Sequence, residues 1–75
     1  MKILNYKVLL RTEPEGGFTA IVPSLDGCIT YGETISEARK NAKEAIELYI
    51  ESLKVDGLDI PSDENFLEYN VQVNA

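Results

Sequence analysis

From Leu4 to Leu10 every second side chain is apolar, so Leu4, Tyr6, Val8 and Leu10 share one face of a strand predicted over residues 3 to 11. The alternate positions, Ile3, Asn5, Lys7, Leu9 and Arg11, make a mixed face. Glu13-Pro14-Glu15-Gly16-Gly17 breaks the pattern as a turn, with a fixed proline φ and two permissive glycines. Phe18 to Pro23 resumes it, with Phe18, Ala20 and Val22 on one face, and the two strands make a hairpin. Ser24-Leu25-Asp26-Gly27 is a second tight connection, signalled by Asp-Gly. The short apolar run Cys28 to Tyr31 is then a third antiparallel strand, ended by Gly32.

At Thr34 the period changes from two to that of a helix. Ile35, Ala38, Ala42, Ala45, Ile46, Tyr49 and Leu53 recur at helical spacing, with Ile50 on the flank, opposite Glu37, Lys40, Asn41, Lys43, Glu44, Glu47, Glu51 and Lys54. Thr34 is placed as N-cap, with Glu37 reaching back as a capping box, and Gly57 marks the stop. Such a helix of roughly 20 residues spans about 30 Å and crosses a small sheet. After a linker from Leu58 to Asn65, Leu67, Tyr69, Val71 and Val73 alternate with Glu68, Asn70, Gln72 and Asn74. This is the cleanest strand pattern in the chain.

The predicted order is β-β-β-α-β in one α+β domain over residues 1–75. It forms an antiparallel meander with one long helix on one face. The fourth strand returns beside the first and parallel to it, as a right-handed crossover favours.

Composition narrows the partners. The hydrophobic fraction of 44% is that of a folded chain. A domain of this size buries only about 60% of its unfolded surface, so association would add needed stability. Thirteen acids against seven bases give a net charge of −6, which repels phosphate and argues against direct nucleic-acid binding. The lone Cys28 offers no intramolecular disulfide, and no leader or membrane-length apolar run is present. A soluble cytoplasmic protein that does not engage membranes is expected.

Catalytic chemistry is poorly supplied. The chain has no His, hence no imidazole base or ligand. Cys28 reads as a small buried strand residue. The acids lie in turns, at the helix entrance or on the polar helix face, rather than mid-strand and inward as metal-dependent nucleases place them. Gly16-Gly17 lacks the lysine of a phosphate loop. No enzymatic activity, cofactor or metal is expected.

One helix covers one sheet face, which leaves Leu9 and Ile21, with Ile3, on the other; Leu48 also falls off the helical stripe. Apolar residues clustered this way on so small a chain mark an oligomer or partner surface, and a homo-oligomer is expected.

Val22-Pro23-Ser24-Leu25-Asp26-Gly27-Cys28, then Thr30, Gly32, Glu33-Thr34 and Glu37-Ala38, resembles the HicB-type antitoxin family. Tyr6, the acidic Gly-Gly turn before Phe18-Thr19-Ala20, and Gly57 with Ile60-Pro61 agree, so the resemblance spans residues 4 to 62. It implies a partial ribonuclease H-like fold and a protein partner, a small basic HicA-type toxin that cleaves messenger RNA. The antitoxin would inhibit by covering the toxin's active surface. From charge, Glu13, Glu15, Asp26 and Glu33 are the carboxylates placed against surface that otherwise holds RNA phosphates. Many family members continue into an operator-binding segment; this sequence stops at Ala75, so DNA binding is not expected. The competing readings are a stand-alone oligomeric domain that binds another protein or a small ligand, and a remnant ribonuclease H-type nuclease.

Overall fold

The computed structural model describes residues 3–75; Met1 and Lys2, the first two residues of the expected domain, lie outside it. The elements are β1 (Leu9–Thr12), β2 (Phe18–Ile21), β3 (Ile29–Gly32) and α1 (Ile35–Val55). The strands form an antiparallel sheet in the order β1-β2-β3, so both pairings are hairpins. The helix packs on β3 and, less extensively, on β2. This is the α+β meander with a helix on one face.

The first strand is shorter than its alternation predicts. Residues 3–8 keep that alternation, exposed at odd positions and half-buried at even ones, but carry no strand pairing. Leu9 pairs with Ile21, the last residue of β2. Beyond Ile21 the chain turns: the Leu25 N–H donates to the Val22 carbonyl, and the Cys28 N–H to the Leu25 carbonyl. Residues 3–8 therefore have no neighbouring strand on that side.

The same turn supplies the core. Val22, Leu25 and Cys28 form its buried cluster, with Tyr6, Val8, Ala45, Ile46 and Tyr49 packed against it. Leu25 is the largest fully buried side chain, 1% exposed, although it lies in a loop. Cys28 is buried and unpaired, and burial pushes its thiol above the ordinary range, which suits a packing role. Ala20, Ala38 and Ala42 let sheet and helix approach closely. Ile35 departs from its expected place in the buried helical stripe: at the first helical position it overhangs the sheet and is exposed, as is Leu48.

Both helix ends are chemically closed. The Thr34 hydroxyl accepts from the Glu37 N–H at 3.0 Å. The Glu37 carboxylate takes the N–H of Glu33 at 3.1 Å, one residue outside the N-cap expected from a capping box. At the other end Gly57, at φ +68°, donates to the Lys54 carbonyl, and Leu58 donates to that of Leu53. These paired bonds form a Schellman stop, and its left-handed position favours glycine. Thr34→Ala is expected to lower stability by about 1 kcal/mol, read as a shift of the urea midpoint, while Thr34→Ser keeps most of it. An unshifted alanine variant would show that the cap contributes nothing.

The predicted fourth strand does not form in this structure. Residues 58–75 carry no strand pairing, and Leu67, Tyr69, Val71 and Val73 are each at least 75% exposed. Period-two alternation says which side chains share a face. It does not say which sheet edge receives them.

Candidate interaction surface

The face of the sheet away from α1 is assembled by register. Leu9 pairs with Ile21, and Ile21 with Ile29, so three branched aliphatic side chains stand in one row across the sheet. Leu9 is 49% exposed, Ile29 is 60% exposed and Ile21, between them, is half-buried. The two predicted apolar residues are thus neighbours. Ile29, which sequence reasoning placed only in a short strand, completes the row; its signal was its odd-numbered place opposite Ile21.

Two residues further along each strand, Arg11 pairs with Thr19 and Thr19 with Tyr31. This second row is polar and ordered. Glu13 accepts from the Arg11 Nε at 2.9 Å and from the Thr19 hydroxyl at 2.7 Å. Those bonds, first from Arg11 and then from Thr19, hold the Glu13 carboxyl below its ordinary range, so it stays ionised at neutral pH. The Tyr31 hydroxyl donates to the Gly16 carbonyl at 3.0 Å and ties the second row to the β1–β2 turn. Partial desolvation, then the carboxylates of Glu33, Glu13 and Glu37, raise the Tyr31 phenol above its ordinary value. Tyr31 therefore sits in a field of three carboxylates and remains a neutral hydrogen-bonding group.

The antiparallel register sorts the four predicted acids by end of the sheet. Glu13 and Glu15 lie in the β1–β2 turn, and Glu33 follows β3 at the helix entrance, so these three share the Tyr31 end. Asp26 lies in the β2–β3 turn, at the opposite end, beside the Leu9–Ile21–Ile29 row. The acids thus flank the apolar row rather than converge on a point. Among the described residues, no group of three or more His, Cys, Asp or Glu could hold a metal ion. No helix among them is long and apolar enough to cross a membrane.

A polar clamp that sequence reasoning missed fixes the start of the C-terminal segment. Asp63 accepts from the Ser24 hydroxyl and from the Lys7 backbone N–H, at 2.5 Å for the latter. Those bonds lower its pKa against partial desolvation, that from Ser24 contributing most. Tyr6 donates to the Pro61 carbonyl, and the Lys7 ammonium meets Glu68 at 2.6 Å. The clamp joins residues more than 35 positions apart in sequence, and no local spacing signals such a pairing.

Residues 6–74 match the family described as HicB-like antitoxin of bacterial toxin–antitoxin systems. A UPF0150 protein of Synechocystis sp. is 48% identical over 63 residues, covering 84% of this chain and 80% of its own. A UPF0150 protein of Thermoplasma acidophilum is 45% identical over 60 residues, covering 80% and 87%. The antitoxin HicB of Escherichia coli is 32% identical across 93% of this chain, which spans 55% of that longer protein. The match runs through the β1–β2 turn, the Pro23–Gly27 connection and the capped helix, the features that assemble the open sheet face. On sequence and on the elements that the sequence builds, the chain belongs to the HicB-like antitoxin family of bacterial toxin–antitoxin systems.

Proposed function

We propose that this chain is a non-catalytic antitoxin that binds a small basic HicA-type toxin and blocks its cleavage of messenger RNA. Membership of the antitoxin family supports a toxin partner. The observation that carries the binding mode is the open sheet face, an apolar Leu9–Ile21–Ile29 row with acidic side chains towards both ends.

An RNA-cleaving toxin must present cations to phosphates. Glu13, Glu15 and Glu33 at one end of the row, and Asp26 at the other, offer those cations a substitute for the phosphates. The net charge of −6 speeds encounter, and the apolar row supplies the desolvated centre that holds the complex. The acids act here as surface charge, in a cytoplasmic protein working as a homo-oligomer. The β-β-β-α order is read as the core of a partial ribonuclease H-like fold used for binding.

The test mixes the purified chain with its cognate toxin and follows a labelled RNA. Cleavage should stop at a stoichiometric ratio, and cleavage that continues at saturating antitoxin would overturn the reading. Ile21→Lys, at the centre of the row, should raise the concentration needed for half-inhibition by about 30-fold or more, the effect of losing a central hot spot. Salt should weaken the complex through the screened acidic fringe.

A further inference from the structure

We infer that Glu13, unlike the other three acids of the fringe, meets one basic side chain of the toxin directly and sets how long the complex lasts, with Thr19 as its positioning residue. The inference rests on toxin binding and names the polar group of the open face that does the holding.

Glu13 belongs to the β1–β2 turn by sequence, yet its carboxylate does not stay at the rim. Its Oε2 accepts from the Thr19 hydroxyl at 2.7 Å and from the Arg11 Nε at 2.9 Å. Thr19 lies in β2, the middle strand, with Arg11 opposite it on one side and Tyr31 on the other. Side chains two residues apart in a strand share a face, so Thr19 stands on the same face as Ile21, about 7 Å along the strand. The carboxylate is thereby drawn over the middle of the sheet, next to the apolar row.

Both bonds go to one oxygen. Among the described residues Oε1 takes no hydrogen bond, and no unbonded side-chain oxygen of a half-buried residue is shut off from water, so Oε1 is an open acceptor. Arg11 leaves room for a second cation, because it reaches Oε2 through Nε alone and a carboxylate has acceptor sites on both oxygens. The Glu13 side chain is 27% exposed, so a partner seated on the row needs to cover little more to exclude water from it. A charge pair made in such a desolvated place holds a complex together.

Glu15, Asp26 and Glu33 are built differently. Each is exposed, and none is in an ion pair among the described residues. An exposed acid gains little from a single pairing, because ordering its side chain and screening by salt offset the attraction. Such acids speed encounter instead. Glu13 is already ordered by Thr19 and Arg11, so that cost does not arise on binding.

The experiment measures association and dissociation rates of the full chain with its cognate toxin. Glu13→Gln should raise the dissociation rate by about 30-fold and leave the association rate within about threefold. The triple variant Glu15→Gln, Asp26→Asn, Glu33→Gln should do the reverse, slowing association by about tenfold at low salt with little change in dissociation. Thr19→Val should raise the dissociation rate by about tenfold, and Thr19→Ser should keep it near wild type. Combining Thr19→Val with Glu13→Gln should add nothing to Glu13→Gln alone, because the threonine acts through Glu13. One Lys→Ala or Arg→Ala change in the toxin should show the same non-additivity with Glu13→Gln. Circular dichroism should show every variant folded at the assay temperature. A Glu13→Gln effect confined to association, a Thr19→Val effect that persists beside Glu13→Gln, or a toxin with no coupled basic residue would each overturn this assignment and leave toxin inhibition standing. A wild-type chain that binds no toxin would overturn the antitoxin reading and this assignment with it.

Discussion

Leu25→Ala is expected to cost about 3 kcal/mol, the usual cost of truncating a fully buried leucine that cannot be replaced by collapse. A chain of 75 residues holds roughly 4–11 kcal/mol in total, so the loss is a large share of its stability. With a urea dependence of about 1 kcal/mol per molar, the midpoint should fall by roughly 2–3 M. The size of the effect comes from where Leu25 stands. It enters the core from a turn whose backbone is fixed by hydrogen bonds from Leu25 to Val22 and from Cys28 to Leu25. The turn cannot sink to fill the cavity without breaking those bonds. Tyr6 and Val8 on one side and Ile46 and Tyr49 on the other would then face a void. A midpoint shift below about 1 M would show that the core is not organised around this residue.

That result would also explain what could be read from the sequence and what could not. The three strands, the Thr34 cap and the Gly57 stop were legible because each rests on local chemistry: alternation, a turn dipeptide, a hydroxyl before a helix, a glycine after it. Leu25 looked like a loop residue between Ser24 and Asp26, and only the fold of the whole hairpin shows that it points inward. The fourth strand misled for a different reason. Its alternation is the most regular in the chain, yet a strand forms only against an edge, and the position of that edge is a long-range property. The same limit hid the Asp63 clamp, which joins Ser24 and Lys7 across the fold. Of the candidate surface, Leu9 and Ile21 were found because both lie opposite the helix-facing positions. The sorting of the acids required the register: Glu13 and Glu33 are 20 positions apart, and both act on Tyr31 because β1, β2 and β3 fold back on one another.

The two faces of this small sheet differ in construction. The helix side, with Ala20, Ala38 and Ala42 at the contact, holds the fold together. The open side carries no buried charge and presents its polar groups already bonded, Glu13 to Arg11 and Thr19, Tyr31 to Gly16. Such a face requires little rearrangement on binding, which lowers the entropic cost of association.

Gly32→Ala should link those two faces. A Cβ at position 32 would lie 2.3 Å from the Ala38 nitrogen, 2.5 Å from its Cα and 2.8 Å from the Glu37 carbonyl carbon. All three are backbone atoms of the first helical turn, so no side-chain rotation relieves the clash. The helix N-terminus must move away from β3 by about 1 Å, and overpacking of this kind costs about 3 kcal/mol at its upper range. In a domain of this size the melting temperature should fall by roughly 12–24 °C. The double variant Gly32→Ala, Ala38→Gly should not recover it, because the contact is with the backbone and removing the Ala38 methyl frees no space there. Full rescue by that second change would refute the packing argument. The displacement should also reach the open face. Asn41 of the helix donates to the Tyr31 carbonyl at 2.7 Å, and the Glu33 N–H donates to the Glu37 carboxylate across the same joint. Moving the helix pulls on β3 from behind and shifts Tyr31 and Glu33 relative to Glu13. Under conditions where the variant is still folded, the toxin inhibition proposed above should weaken along with the helix contact, although no residue of the open face has been changed.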